Sequence, residues 1–187
     1  LQARLVSHPS DAYARFQLGN TLSLLGEYAE AEAALNSAVR SGDLQPGVRA
    51  SAMNLLSELS IRRGEYREAV GRAEESIRLV CRQHLGYWLL AAARIGLGDG
   101  AGAIDPLRRL VHGHSASARE SHVAYDVLPE RSQILYRYGI CLEAAGQPDE
   151  AVRIFGQLLR EQPAHGPGSA ALAACIGRGK CSARSEE

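Results

Sequence analysis

The chain has 187 residues with 21 basic and 21 acidic side chains, so its formal net charge is zero. That balance argues against nucleic acid as the main partner, because holding a phosphate backbone calls for an excess of Lys and Arg. Aromatic residues make up only 5%, no segment alternates β-branched residues, and no run of 18 apolar residues suits a membrane span; an all-α chain, one domain or several stacked repeats, is what remains.

Leu1-Gln2-Ala3-Arg4 is not a signal peptide, and the absent initiator Met predicts a region of a longer protein or a processed one. Cys81, Cys141, Cys175 and Cys181 form no C-x-x-C pair, which predicts reduced thiols and a cytoplasmic location in preference to a disulfide framework or zinc site. Lys180 is the only Lys among the basic residues; a bias so strong toward Arg, with abundant Ala and Gly, points to a GC-rich bacterial source.

In chain order, residues 1–11 read as the end of a leading helix, with Leu1 and Leu5 on one face and a stop at Pro9. Residues 12–45 carry Leu18-Gly19, Leu22, Gly26, Tyr28, Ala31, Leu35 and Ala38, after which Pro46-Gly47 lengthens the link. Residues 50–83 repeat the set loosely as Met53, Leu56, Ser57, Gly64, Tyr66, Ala69 and Ala73. Their turn, Arg63-Gly64-Glu65-Tyr66, copies Leu25-Gly26-Glu27-Tyr28. Residues 84–117 show Tyr87, Leu90-Ala91, Gly98, Ala103 and Leu107. An insertion, 118–131, contains the alternating stretch His122 to Pro129, which reads as a short strand or an extended loop. Residues 132–165 are the most regular: Leu135, Tyr138-Gly139, Leu142, Gly146, Ala151, Phe155 and Pro163. An Ala-rich segment at 169–176 is expected to cap the last apolar face, and 177–187 to form a flexible tail.

A Gly precedes an Ala by five residues in every unit: Gly26/Ala31, Gly64/Ala69, Gly98/Ala103 and Gly146/Ala151. Each Gly suits the left-handed end of a first helix, and each Ala a close approach by the second. Leu-Gly, an aromatic or Leu three residues on, Ala-x3-Phe and a closing Pro are the signature of the tetratricopeptide repeat, and the chain resembles that family. The resemblance implies helical hairpins stacked as a right-handed superhelical solenoid, an interaction scaffold and no enzyme. The order of features resembles more specifically the repeat region that follows the catalytic domain of bacterial family 2 glycosyltransferases. No Asp-x-Asp motif of that class occurs, so the chemistry of such a parent would lie upstream of Leu1.

In the family the first helix of each hairpin lines the inner groove. The resemblance therefore implies inward positions at Tyr13, Phe16, Asn20 and Ser23, at Asn54, Glu58 and Arg62, at Trp88 and Ala92, and at Gln133, Tyr136 and Ile140. Of these Tyr13, Phe16, Asn20, Asn54, Glu58, Arg62, Trp88 and Tyr136 are the candidate peptide-binding residues, since rings give contact area at low entropy cost and amides bond a ligand backbone. The competing reading is that several rings, Trp88 above all, pack between repeats. Asn20 matches one position of the family's carboxylate clamp, but Phe16, Leu85 and Leu89 stand where its cations belong, so no clamp is implied.

Three functions fit these positions. The groove takes a peptide or protein, or a second copy; the chain helps an upstream glycosyltransferase hold its acceptor; or the groove is filled by residues 118–131. No cofactor or catalytic residue is expected. Gly98-x-Gly100-x-x-Ala103 lacks the strand that a dinucleotide fingerprint follows, and Gly179-Lys180-Cys181 lacks the first Gly and the Ser/Thr of a phosphate loop. His112, His114 and His122 match no zinc spacing, and the paired arginines Arg62-Arg63 and Arg108-Arg109 read as solvated faces.

Overall fold

The structure, a computed structural model, describes residues 11–113 and 129–183. The leading segment 1–10, most of the 118–131 insertion with its possible strand, His114 and His122 lie outside the described residues. Those described form nine helices: α1 (Ala12–Leu25), α2 (Tyr28–Arg40), α3 (Pro46–Arg62), α4 (Tyr66–Leu79), α5 (Leu85–Gly96), α6 (Gly100–Gly113), α7 (Arg131–Ala144), α8 (Pro148–Glu161) and α9 (Gly166–Ala183). They divide into two compact units, one from residue 11 to 97 and the other from 98 onward.

The first unit holds α1 to α5 and the second α6 to α9. Within the first, α1 packs on α2, α3 on α4, and α4 on α5, while α3 also touches both α1 and α5. In the second, α7 packs on α6 and α8, and α8 on α9.

The hairpin turns follow from the glycines. Gly26, Gly64, Gly98 and Gly146 have φ of 83, 77, 77 and 75°, a region where a Cβ is strained. In three of these turns the next residue's N–H reaches back to the last turn of the first helix: Glu27 to Leu22, Glu65 to Ser60 and Gln147 to Leu142, each carbonyl accepting at 2.9 Å. Such bonds satisfy carbonyls that a helix end otherwise leaves unpaired. Asp11 starts α1 by accepting from the Ala14 N–H at 2.8 Å, and Asp99 does the same for Gly102 at 2.8 Å.

Small residues set how closely the helices of a hairpin approach. Gly19 lies under Leu35, and a Cβ there would sit 2.6 Å from Leu35 Cγ; Gly139 lies likewise under Phe155. Ser57 takes this place in the second hairpin, and its hydroxyl donates to the Ala69 carbonyl at 2.9 Å. The irregular repeat thus keeps its packing by satisfying the one polar atom it adds. Ala31, Ala69, Ala103 and Ala151 are all fully buried.

Two boundaries differ from expectation. Pro46-Gly47 is no link: Pro46 opens α3, where its missing N–H would be unpaired anyway. The last helix runs from Gly166 to Ala183, so it begins before the expected 169–176 cap and takes in 177–183 of the expected tail. Pro167 fixes a helical φ at its start, and Ala outnumbers Gly along it.

Candidate functional site

In the first unit the faces of α1, α3 and α5 carry five of the residues singled out above. Tyr13, at the start of α1, is 48% exposed, and its hydroxyl accepts from Gln17 Nε2 at 2.7 Å. Asn20, seven residues on, is half-buried on the same side of the helix. On α3, Arg62 donates to Glu58 Oε1 at 2.8 Å, one turn apart, and both are solvent-exposed at their tips. The Arg62 guanidinium also stands over the Tyr28 ring, 5.4 Å from its centroid. Glu58 is the first cause of the raised Arg62 pKa, so the cation is fixed and already shared between a carboxylate and a ring. Trp88 is half-buried on α5, with Ala92 one turn further.

Three candidates are placed elsewhere. Phe16 is fully buried in a cluster with Ala31, Leu35, Ala38, Ala52, Leu56 and Leu59, so it is core and lines no groove. Asn54 is 1% exposed; its Nδ2 donates to Gln83 Oε1 at 2.8 Å, and Gln83 Nε2 donates on to Ser76 Oγ at 3.0 Å. This is an interior polar chain tying α3 to the α4–α5 connection. Tyr136 belongs to the second unit, where its ring lies 6.3 Å from Phe155 and 5.4 Å from His165, so it packs between helices of its own unit.

Leu24 and Leu25, exposed by 82% and 69% at the end of α1, were not singled out by the sequence reading. Registering the units on their turn glycines reveals them: the equivalent pairs are Arg62-Arg63, Gly96-Leu97 and Ala144-Ala145.

The strongest electrostatics lie away from these faces. Glu32 of α2 bonds Arg63, whose Nη2 donates to Glu32 Oε1 at 2.9 Å, and Arg72 Nη2 reaches the same oxygen at 3.1 Å. Arg72 also donates to the Leu56 carbonyl at 3.0 Å and to Ser60 Oγ at 2.6 Å. The Arg63 hydrogen bond above all, with Arg72 adding to it against the cost of burial, holds the Glu32 carboxyl down to about 2. This network joins hairpin one to hairpin two.

Among the described residues no group of three potential metal ligands occurs, and no helix is long and apolar enough to cross a membrane. Cys81, Cys141 and Cys175 are free, and burial pushes the thiols of Cys141 and Cys175 up. Helix α5 runs up to Gly96 and α6 begins at Gly100, so the run follows a helix and lacks the strand of a dinucleotide-binding geometry.

Hairpins built on a turn Gly, a buried Ala and a small residue under a large one define an all-α helical-repeat protein. Profiles described as Tetratricopeptide repeat match residues 1–46, 49–87 and 133–165, and the chain belongs to the tetratricopeptide-repeat family. Solved structures agree on the fold. YrrB, described as a TPR protein with an unusual peptide-binding site, superposes with a TM-score of 0.80 at 18% identity, covering 96% of this chain and 83% of that one. One structure of MamA gives 0.73 at 15%, covering 90% and 82%, and another 0.70 at 19%, covering 87% and 84%. No curated protein matches by sequence. These matches are to repeats in general, and the glycosyltransferase subgroup rests on the order of sequence features alone.

Proposed function

We propose that the chain is a non-catalytic interaction module that takes a peptide or protein segment on the first-helix faces of its first unit, with Tyr13, Asn20, Glu58, Arg62 and Trp88 as the contacts. The observation that carries this reading is the mixture of side chains on α1, α3 and α5. An exposed phenol, a half-buried amide, an ion pair and a half-buried indole offer ring area and hydrogen bonding on rigid helices, which is what an extended ligand needs. The description of YrrB as having a peptide-binding site supports the same reading for a chain of the same fold.

Selection from a random-peptide library on the full chain tests it, followed by affinity measurement of the selected peptides by calorimetry. Tyr13→Ala with Arg62→Glu is expected to weaken them at least about tenfold, about 1.4 kcal/mol. Peptides that bind both proteins equally would sink the reading. Sedimentation of the unliganded chain reads self-association separately, since a second copy on this face would be lost through the same pair of substitutions.

A further inference from the structure

The final helix starts on a weak sequence. Gly166 and Gly168 carry a large backbone entropy cost, and no acidic residue stands in the first turn of α9. The turn is instead held by the residue before it. His165 accepts a hydrogen bond at Nδ1 from the Gly168 N–H at 2.9 Å, and its own carbonyl accepts from the Ser169 N–H at 3.1 Å. Its ring is also in contact with Tyr136 of α7, centroids 5.4 Å apart. Gly168 is buried beneath this cap: a Cβ there would lie 2.7 Å from Leu158 Cδ2 and 2.9 Å from His165 Nδ1. One imidazole therefore starts α9 and meets α7 through Tyr136, while Gly168 beneath it packs on Leu158 of α8.

A ring nitrogen accepts a hydrogen bond only while it carries no proton. We propose that His165 is a pH-sensitive latch for α9, closed while Nδ1 is unprotonated and opened when a proton arrives there. Protonation turns the acceptor into a donor facing another donor, the Gly168 N–H, and puts positive charge at the positive end of the helix. The docked form takes up no proton at Nδ1 and the released form does, so acid favours release.

The helices packed against α9 are α7 and α8. From α7 the group facing the imidazole is Tyr136, and the helix's charges are Arg131, Arg137 and Glu143. From α8, Leu158 faces Gly168. The charge nearest His165 in sequence is Glu161, whose carboxylate is engaged by Arg131 at 3.1 Å and by Gln157 at 3.1 Å. Arg160 is exposed, Glu150 and Arg153 bond each other, and Asp149 stands at the far end of the helix. What α9 covers gives the latch a consequence, for Cys175 is 2% exposed and Leu158 fully buried.

Hydrogen exchange of the full chain at pH 7.5 and pH 5.5, corrected for the intrinsic pH dependence of exchange, tests the latch. In the wild type the α9 amides are expected to lose protection roughly tenfold at the lower pH relative to those of α8, the size of a lost cap with an adverse charge. His165→Asn supplies an amide oxygen that caps without titrating and should protect α9 equally at both pH values. His165→Ala should show fast exchange at both. A wild type with no pH-dependent change in α9, or a His165→Asn variant that keeps the wild-type change, overturns the proposal.

Discussion

Replacing Gly139 by Ala adds one methyl group where α7 approaches α8 most closely. A Cβ at that position would lie 2.5 Å from Phe155 Cε1, 2.6 Å from Cζ and 2.9 Å from Cδ1. Carbon atoms settle at about 3.5–4.0 Å, so the ring must move by about 1 Å. Phe155 is fully buried and in ring contact with Tyr136, so a rigid ring moves into occupied space. Overpacking of this kind costs up to about 3 kcal/mol, against about 1 kcal/mol gained from Ala over Gly in a helix, which leaves a net loss of about 2 kcal/mol. Gly156, on the facing helix α8, is the control. Its nearest neighbour for a new Cβ is Arg160 Nη1 at 3.7 Å, ordinary contact, so Gly156→Ala should stabilise by up to about 1 kcal/mol. Urea unfolding followed by far-UV circular dichroism measures both; fluorescence does not, because the single Trp is Trp88 of the first unit. A Gly139→Ala protein as stable as the wild type would refute the steric reasoning. So would a Gly139→Ala/Phe155→Leu double variant whose losses simply add, since a smaller side chain should make room for the methyl group.

The same physics gives three further outcomes. Glu32, 19% exposed and held near pKa 2 by Arg63 and Arg72, contributes stability that is complete above the ordinary carboxylate range and lost as pH falls through about 2. Glu32→Gln should therefore lower the unfolding free energy measured in urea by about 1–2 kcal/mol at neutral pH, after discounting for solvent screening, and approach the wild type as pH falls below about 2. Asn54→Ala takes one donor from the buried Gln83 oxygen and should cost about 1–3 kcal/mol in thermal unfolding, while Asn20→Ala, half-buried, costs under about 0.5 kcal/mol. Gly96→Ala would push a Cβ to 2.4 Å from the Tyr66 ring; it should destabilise the first unit by about 1–3 kcal/mol, and Tyr66→Ala in the same chain should remove most of that extra cost in a double-mutant cycle.

The hairpins were legible in the sequence because their determinants are local. A glycine at positive φ and an alanine five residues later fix a turn and a close approach within one hairpin, and both are visible as spacing. Two of the three displaced groove candidates show where this stops. Phe16 shares a helix with the exposed Tyr13 at a spacing of three, yet α2 and α3 close over it. Asn54 owes its burial to Gln83, 29 residues away, whose position depends on how α4 returns to α5. A period states which residues share a face, and the neighbouring helix decides whether that face sees water.

Contacts between consecutive hairpins obey a rule of their own, apparent only once the units are registered on their turn glycines. The residue two after each glycine meets the residue two before the next: Tyr28 lies under Arg62, Tyr66 against Gly96, and Gly100 is 3.9 Å by its would-be Cβ from Ala144. A ring is met by a flexible cation or by a glycine, and a glycine by an alanine, so the pair is balanced in size while neither member is fixed. That freedom lets one such contact reach the surface, where it is available for the proposed recognition. Arg62 reaches solvent at its tip, and its hold on Tyr28 and Glu58 keeps a cation in place at the end of α3 at little further ordering cost. A residue that serves the stack through its stem and the surface through its tip is a firmer candidate contact than an aromatic on the same helix face, whose burial is the cheaper outcome.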